Sequence, residues 1–422
     1  MTQTPPAPAP ASAVPSDLQD ERLVRPTNVR ESLAASVKRV RTGDLGSLPV
    51  VIGLVVICVI FQILNPNFLG AENISDTLVD TAGIGFISVG IVLVLLLGQI
   101  DLSVGSMSGF SAAIFGVLLT KNHWPEWLII IACVVVGAAV GLIYGALFVR
   151  FGVPSFVITL AGLLALLGAQ LATLGPLGSI NIPFNTFIVN FSLTQFLPTW
   201  LNYVLVVVAG LGYAGAALAR ARARSRAGLS APGTTGILVK AVILIVLLGV
   251  LVAYVSTYAG GGIGDSFVAL ILLVVIMQYV LTRTRWGREV FAVGGNVEAA
   301  RRAGIRVNRV YVTVFILCAI LAALGGLLNL GHLASASTSS GTGDVNLDAI
   351  AGAVIGGTSL FGGRGSAWSA LLGILVITAI SQGLNLLSLD SSVRFMITGG
   401  VLLLAVIVDS LSRRSRASHG QA

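Results

Sequence analysis

The chain has 422 residues, of which 55% are hydrophobic and 10% charged, with a mean hydropathy of +0.95 and a net charge of +8. Soluble domains carry about 25% charged residues, so the composition excludes a water-soluble globular fold and points to a chain solvated by lipid. The pI near 9.9 does not point to nucleic acid, because the basic residues lie beside apolar spans rather than interleaved with aromatics.

Residues 1–16, MTQTPPAPAPASAVPS, are too rich in Pro and Ala to bury a core. No apolar run precedes residue 48, which argues against a secretory signal. Residues 17–44 place Arg22, Arg25, Arg30, Lys38, Arg39 and Arg41 among Leu and Val. They read either as a cytoplasmic helix lying on the membrane or as a solvated basic tail. Residues 1–46 are therefore a disordered tail followed by a basic cytoplasmic segment.

A spanning helix needs about 20 mostly apolar residues. Such segments occur at about 48–64, 78–98, 103–120, 127–149, 155–174, 201–219, 236–256, 266–282, 310–333, 346–361, 366–388 and 392–411. The 346–361 segment is short and Gly-rich and reads as re-entrant or broken as readily as spanning. With the amino terminus inside, all of the 25 Lys and Arg except Lys121 and Arg394 fall on the cytoplasmic side. Glu72, Asp76, Glu126, Asp265, Asp344, Asp348 and Asp390 fall on the other. The sequence thus predicts an all-α polytopic transmembrane bundle of about 10–12 spanning helices with both termini cytoplasmic. Residues 47–411 form the membrane domain and residues 412–422 a basic cytoplasmic tail.

Four stretches stand out in chain order. In LGQIDLSVGSMSGFSAA, residues 97–113, Asp101 lies between two apolar runs beside Gln99 and Ser103. A carboxylate near the membrane core marks a functional site by default, but Asp101 two residues before Ser103 also reads as an N-cap. Gly105 and Gly109, then Gly137, Gly141 and Gly145, repeat every four residues; this spacing lets two helices touch. The loop TRTRWGREVFAVGGNVEAARRAGIRVNRV, residues 282–310, is strongly basic. Within its cytoplasmic part, residues 283–309, Asn296 is a suitable N-cap, Glu298 suits the first turn, Ala299 and Ala300 favour helix, and Gly304 can end it. A short capped helix flanked by Arg301 and Arg302 reads as a docking element for a cytoplasmic partner, or as a plain topology loop. VIGGTSLFGGRGSAWSALLG, residues 354–373, lacks the Lys that a phosphate-cradling loop requires. It reads as a tight turn, and the chain shows no nucleotide site of its own.

Cys58, Cys133 and Cys318 all lie in apolar runs, and with three scattered His they indicate neither disulfides nor a metal site. No Gly-x-Ser-x-Gly elbow, paired carboxylates or HExxH helix appears, so the chain is not read as an enzyme. Amide and hydroxyl groups remain as candidate lining of a pathway: Gln99, Asp101, Ser103, Gln278, Asn329, Gln382 and Asn385, with Gln170 and His332 beside them. Each can equally serve as an interhelical hydrogen bond. Such groups suit a neutral, hydroxyl-rich solute.

The segments GQIDLSVGS, RTRWGREVFAVGGNVEAARRAGI, LDAIAGAVIGGTSLFGGRGS and QGLNLL, in this order, resemble the membrane permeases of binding-protein-dependent pentose and hexose ABC importers over roughly residues 48–411. The excess length at 176–265, with its Arg-rich cytoplasmic loop at 220–230, resembles the xylose-type permeases in particular. The resemblance implies a multi-pass protein of the bacterial inner membrane, present in two copies. It further implies a cytoplasmic ABC ATPase that carries ATP and Mg, and an extracytoplasmic sugar-binding protein. The chain would itself bind no cofactor or metal. The 296–305 helix would be the element that enters the ATPase. A permease for branched-chain amino acids, a nucleoside or a signalling furanone is the nearest alternative. A self-sufficient secondary carrier, which would need an essential buried carboxylate such as Asp101, is the alternative from another class.

Overall fold

The computed structural model describes residues 48–258 and 262–390, with scattered residues of the segment 392–407. The expectations for residues 1–46 and 412–422, and most of that for the 392–411 span, lie outside the described residues. The fold is built of helices: α1 (Leu48–Leu64), α2 (Ala71–Leu96), α3 (Val104–Thr120), α4 (Glu126–Phe151), α5 (Ser155–Leu174), α6 (Thr199–Arg226) and α7 (Thr234–Tyr258). They continue with α8 (Asp265–Arg283), α9 (Arg285–Gly295), α10 (Val297–Arg302), α11 (Val307–Leu333), α12 (Asp344–Ile355) and α13 (Ala367–Leu386). Among the described residues, eight of these are long and apolar enough to cross a membrane: α2, α4 to α8, α11 and α13.

The open reading of 346–361 falls on its short, broken alternative. The run at 346–361 is only a 12-residue helix, α12. At about 1.5 Å per residue it is too short for a core about 30 Å thick, and Gly356 and Gly357 stop it. The all-α expectation holds, with one short two-stranded ribbon beside the helices. Strand β1 (Ser179–Asn181) pairs antiparallel with β2 (Ser335–Ser337), so that Ile180 faces Ala336. The ribbon ties the exit of α5 to the exit of α11. Ala334, between α11 and β2, takes a left-handed φ of 48°, a conformation a side chain adopts only when its surroundings dictate it.

Helices α2, α11 and α13 are mostly buried, whereas α4, α5 and α8 bury about a third of their side chains and leave the rest as an apolar outer surface. That inversion of the soluble rule is what lipid permits. Close approach depends on glycine. A side chain at Gly141 of α4 would meet the backbone of Phe315 and Ile316 in α11, and one at Gly137 would lie 2.9 Å from Ala319 O. Gly145 continues the stripe against Val312. Gly105 and Gly109 of α3 act differently: the backbone of Gly341 and Ser340, in the loop after β2, lies closest to them, with Asn346 of α12 and Gln170 of α5 beside it.

Valine at Gly141 should lower the apparent melting temperature in detergent, because overpacking at backbone contact costs about 1–3 kcal/mol. Gly168 of α5 has nothing within 4 Å of an added Cβ. Alanine there should be neutral or slightly stabilising, since Ala exceeds Gly by about 1 kcal/mol in a helix. Equal losses at the two positions would refute the close crossing.

Residues 198–254, holding α6 and most of α7, form a compact unit of their own. The two helices meet where Gly210 makes room for Ile245. In the other unit, the chain on either side of this pair is joined. Leu197 N donates to Ile263 O at 3.2 Å and Asp265 N donates to Gln195 O at 3.1 Å. Phe196 and Gly264 form an antiparallel bridge between those bonds.

Candidate functional site

Two regions at opposite ends of the bundle carry the polar residues. The first is a cavity of about 260 Å³ between α2, α3, α11, α12, α13 and the loop after β2. Its polar wall includes Asp80, Asn329, His332, Ser340, Asp348 and Thr378. Asp80 Oδ1 accepts from His332 Nε2 at 2.6 Å, and Asp80 Oδ2 accepts from the amide of Gln382. One carboxylate therefore bridges α2, α11 and α13. Asn329 fits because Gly83, one turn along α2 from Asp80, has no side chain to displace its amide. The loop that closes the cavity is braced by Gln170 of α5, whose Nε2 donates to Ser337 O and Ser340 O at 2.9 Å each.

The second region begins 16 residues further along α2, at Leu96, about 24 Å away by helix rise. Gly363 N, in the turn between α12 and α13, donates to Leu96 O at 2.9 Å. Gly294 of α9 sits on the same two groups: a Cβ there would meet Leu96 O and lie 2.9 Å from Gly363 N. Gly98 is left-handed at φ 69° and faces Phe361 O. Helix α9, the end of α2 and the α12–α13 turn are thus packed backbone on backbone. Next in the chain comes α10, where Asn296 Oδ1 accepts from Ala299 N at 2.9 Å and Glu298 pairs with Arg301 at 3.5 Å. Ala300 is buried, while Glu298, Ala299, Arg301 and Arg302 are exposed. Gly304 ends the turn at φ 80°. The sequence reading had one helix in this loop; the structure has two, because Trp286, Val290 and Val293 give α9 an apolar face, with Trp286 Nε1 donating to Thr313 Oγ1 at 2.9 Å.

Between the two regions, the break before α3 holds Asp101. It is 1% exposed, and its Oδ1 accepts both Ser103 N at 2.8 Å and Ser103 Oγ at 2.7 Å. The N-cap expectation is corrected here. Ser103 occupies the cap position, and Asp101 instead folds the chain two residues ahead of it. The break is buttressed from α5, since Leu102 N donates to Thr159 Oγ1 at 3.1 Å.

Of the residues singled out in the sequence, Asn329, His332 and Gln382 come together at the cavity. Asp101 and Ser103 pair with each other at the break, while Gln99, just before it, is partly buried and donates its N–H to Val94 O at 3.2 Å. Gln278 accepts from Ala367 N at 3.0 Å, fastening α8 to the start of α13, and Asn385 lies exposed at the end of α13. Sequence reasoning passed over Asp80, Ser340 and Thr378, and it set Asp348 aside as an outer charge. Asp80 carried a readable signal, an acid inside an apolar run. No group of three His, Cys, Asp or Glu among the described residues could hold a metal ion.

Comparison with known proteins identifies the family. Residues 73–406 match the family described as the permease component of branched-chain amino acid transport systems. The chain is 32% identical over 348 residues to the xylose transport system permease protein XylH of Escherichia coli K12, covering 82% of this chain and 87% of that one. It is 31% identical over 359 residues to the ribose import permease protein RbsC of the same organism, covering 85% and 92%. Against the fructose import permease protein FrcC of Rhizobium meliloti it is 29% identical over 373 residues, covering 88% and 87%. No solved structure matches the chain. With a family match over residues 73–406 and identity above 30% across four fifths of its length, this polytopic membrane protein belongs to the family of transport-system permease components and is similar to its sugar-import permeases.

Proposed function

We propose that the chain is the permease subunit of a bacterial ABC importer for a monosaccharide, with D-xylose the first candidate, working as a pair of copies in the inner membrane. Three relatives named for xylose, ribose and fructose, each matching more than four fifths of the chain, support a sugar. A cytoplasmic ATPase would supply ATP hydrolysis and an extracytoplasmic binding protein would deliver the sugar. The observation that carries the ATPase partnership is α10. It is capped by Asn296, anchored through buried Ala300, and turns Glu298, Ala299, Arg301 and Arg302 outward. A loop that only set topology would need charge but no such fixed helix.

The family description also names branched-chain amino acids. The cavity lacks a match for their carboxylate, since no Lys or Arg is among its lining residues. A sugar ring, apolar on its faces and hydroxylated on its edge, suits walls that mix Ile84, Leu330 and Ile377 with Ser and Thr.

The test is uptake of labelled D-xylose by proteoliposomes holding the permease, its cognate ATPase and its binding protein. Ala299→Asp with Arg302→Glu changes the exposed face of α10 and leaves Ala300 in place. It should cut uptake and ATPase recovery by about tenfold, as a coupling loss of about 1.4 kcal/mol implies, while the permease still elutes as one species. Uptake that proceeds without any ATPase would replace this reading with a self-sufficient carrier.

A further inference from the structure

Asp80 is the least expected residue of the bundle. It lies in the wall of the cavity, in a helix where a carboxylate is expensive unless it is partnered. Its partners come from two other helices, His332 of α11 at 2.6 Å and Gln382 of α13. The bundle has no shortage of other ways to join α2 to α11, as the tight approach of Gly90 to Cys318 shows. Nor is the hydrogen-bonding capacity of the cluster used up: His332 Nδ1 has no hydrogen-bond partner in the protein. Buried polar atoms left in this way call for an explanation.

The geometry points to the Asp80–His332–Gln382 cluster as a recognition site for a neutral, polyhydroxylated solute. On entry, solute hydroxyls replace the Gln382 amide and the His332 ring as donors to the Asp80 carboxylate, and the released imidazole and amide bond to the solute in turn. The inference rests on the reading of the chain as a sugar permease and adds the residues that touch the sugar. Exchange matters energetically. Each oxygen of Asp80 trades an N–H donor for an O–H donor, so the carboxylate is never left bare in a low-dielectric site, where stripping it would cost several kcal/mol. Gain and loss nearly cancel, and the solute is held weakly enough to move on. The same chemistry selects. An anion meets Asp80 and Asp348, and an apolar solute has no donors to substitute for those it displaces. Because one carboxylate links three helices, the exchange also releases the Gln382–Asp80 bond between α13 and α2 as the sugar binds.

The probe is Ser381→Cys, a partly exposed position in the cavity wall, in a chain whose partly exposed Cys58 is changed to Ser. Its rate of modification by a small methanethiosulfonate reagent is followed in the assembled importer in vesicles, with and without sugar. Protection grows as one plus the ratio of ligand concentration to Kd. For a Kd near 1 mM, about 10 mM D-xylose should slow labelling by about tenfold, and L-leucine should not. Asp80→Asn and His332→Gln should each reduce that protection to less than about twofold. Gln382→Met, which keeps the Asp80–His332 pair, supplies the same comparison if either variant fails to elute as one species. An unprotected probe in vesicles that import D-xylose would overturn the site, as would protection unchanged by these variants. Vesicles that import no sugar would overturn the sugar-permease reading itself.

Discussion

Valine at position 294 should cut sugar uptake by about tenfold or more while the assembled complex continues to hydrolyse ATP. Gly294 sits on two backbone groups, Leu96 O and Gly363 N, which themselves form the 2.9 Å hydrogen bond between the end of α2 and the α12–α13 turn. Backbone cannot step aside as a flexible side chain can, so the added atoms must push α9 off this seat. Overpacking of this kind costs about 1–3 kcal/mol, and every 1.4 kcal/mol or so is a factor of ten. The neighbouring Gly295 provides an internal control, because nothing lies within 4 Å of an added Cβ there. Gly295→Ala should leave uptake within about twofold, less than 0.5 kcal/mol. The measurement is the ratio of sugar imported to ATP hydrolysed. If both variants kept that ratio, α9 would not be part of the transmission.

Replacing Asp101 by Leu should destabilise the protein by about 2–6 kcal/mol, whereas Asn should cost much less. The two donors of Ser103, its N–H and its hydroxyl, both end on Asp101 Oδ1 in a site where each residue is 1% exposed. Each buried donor left without an acceptor costs about 1–3 kcal/mol. Asn keeps an oxygen in the same place and so satisfies both. Apparent melting in detergent separates the two variants, and equal losses would show that the carboxylate is not holding the break. Uptake adds a second reading. If Asp101→Asn were well folded but inert, the charge rather than the geometry would be required, which is the carrier alternative.

How much of this was legible in the sequence depends on the range of the interactions. The long spans follow from local apolar runs, and their ends from local signals such as Gly152 closing α4. Asn296 and Gly304 bracket α10 for the same reason. The cavity is different, because it is assembled from five helices and a loop that no local pattern connects. Ser340 reaches it only because β2 pairs with β1 more than 150 residues earlier in the chain. Asp80 itself was readable as an acid entering a long apolar run, one turn after Asp76, but its partners His332 and Gln382 lie about 250 and 300 residues away. Asp101 shows the converse limit. Its short reach to Ser103 was visible, but two donors on one oxygen produce a turn rather than a cap, and spacing alone does not tell these apart.

The bridge at Phe196 and Gly264 has a consequence for the chain's architecture. Residues 197 and 263 are hydrogen-bonded neighbours, so the larger unit resumes beside the residue at which the helix pair interrupts it. Both helices of the pair are long and apolar enough to cross a membrane, and an even number of crossings leaves the direction of every later helix unchanged. Such a pair behaves as a parenthesis in the polypeptide, a segment that can be gained, lost or exchanged without rewriting what stands on either side.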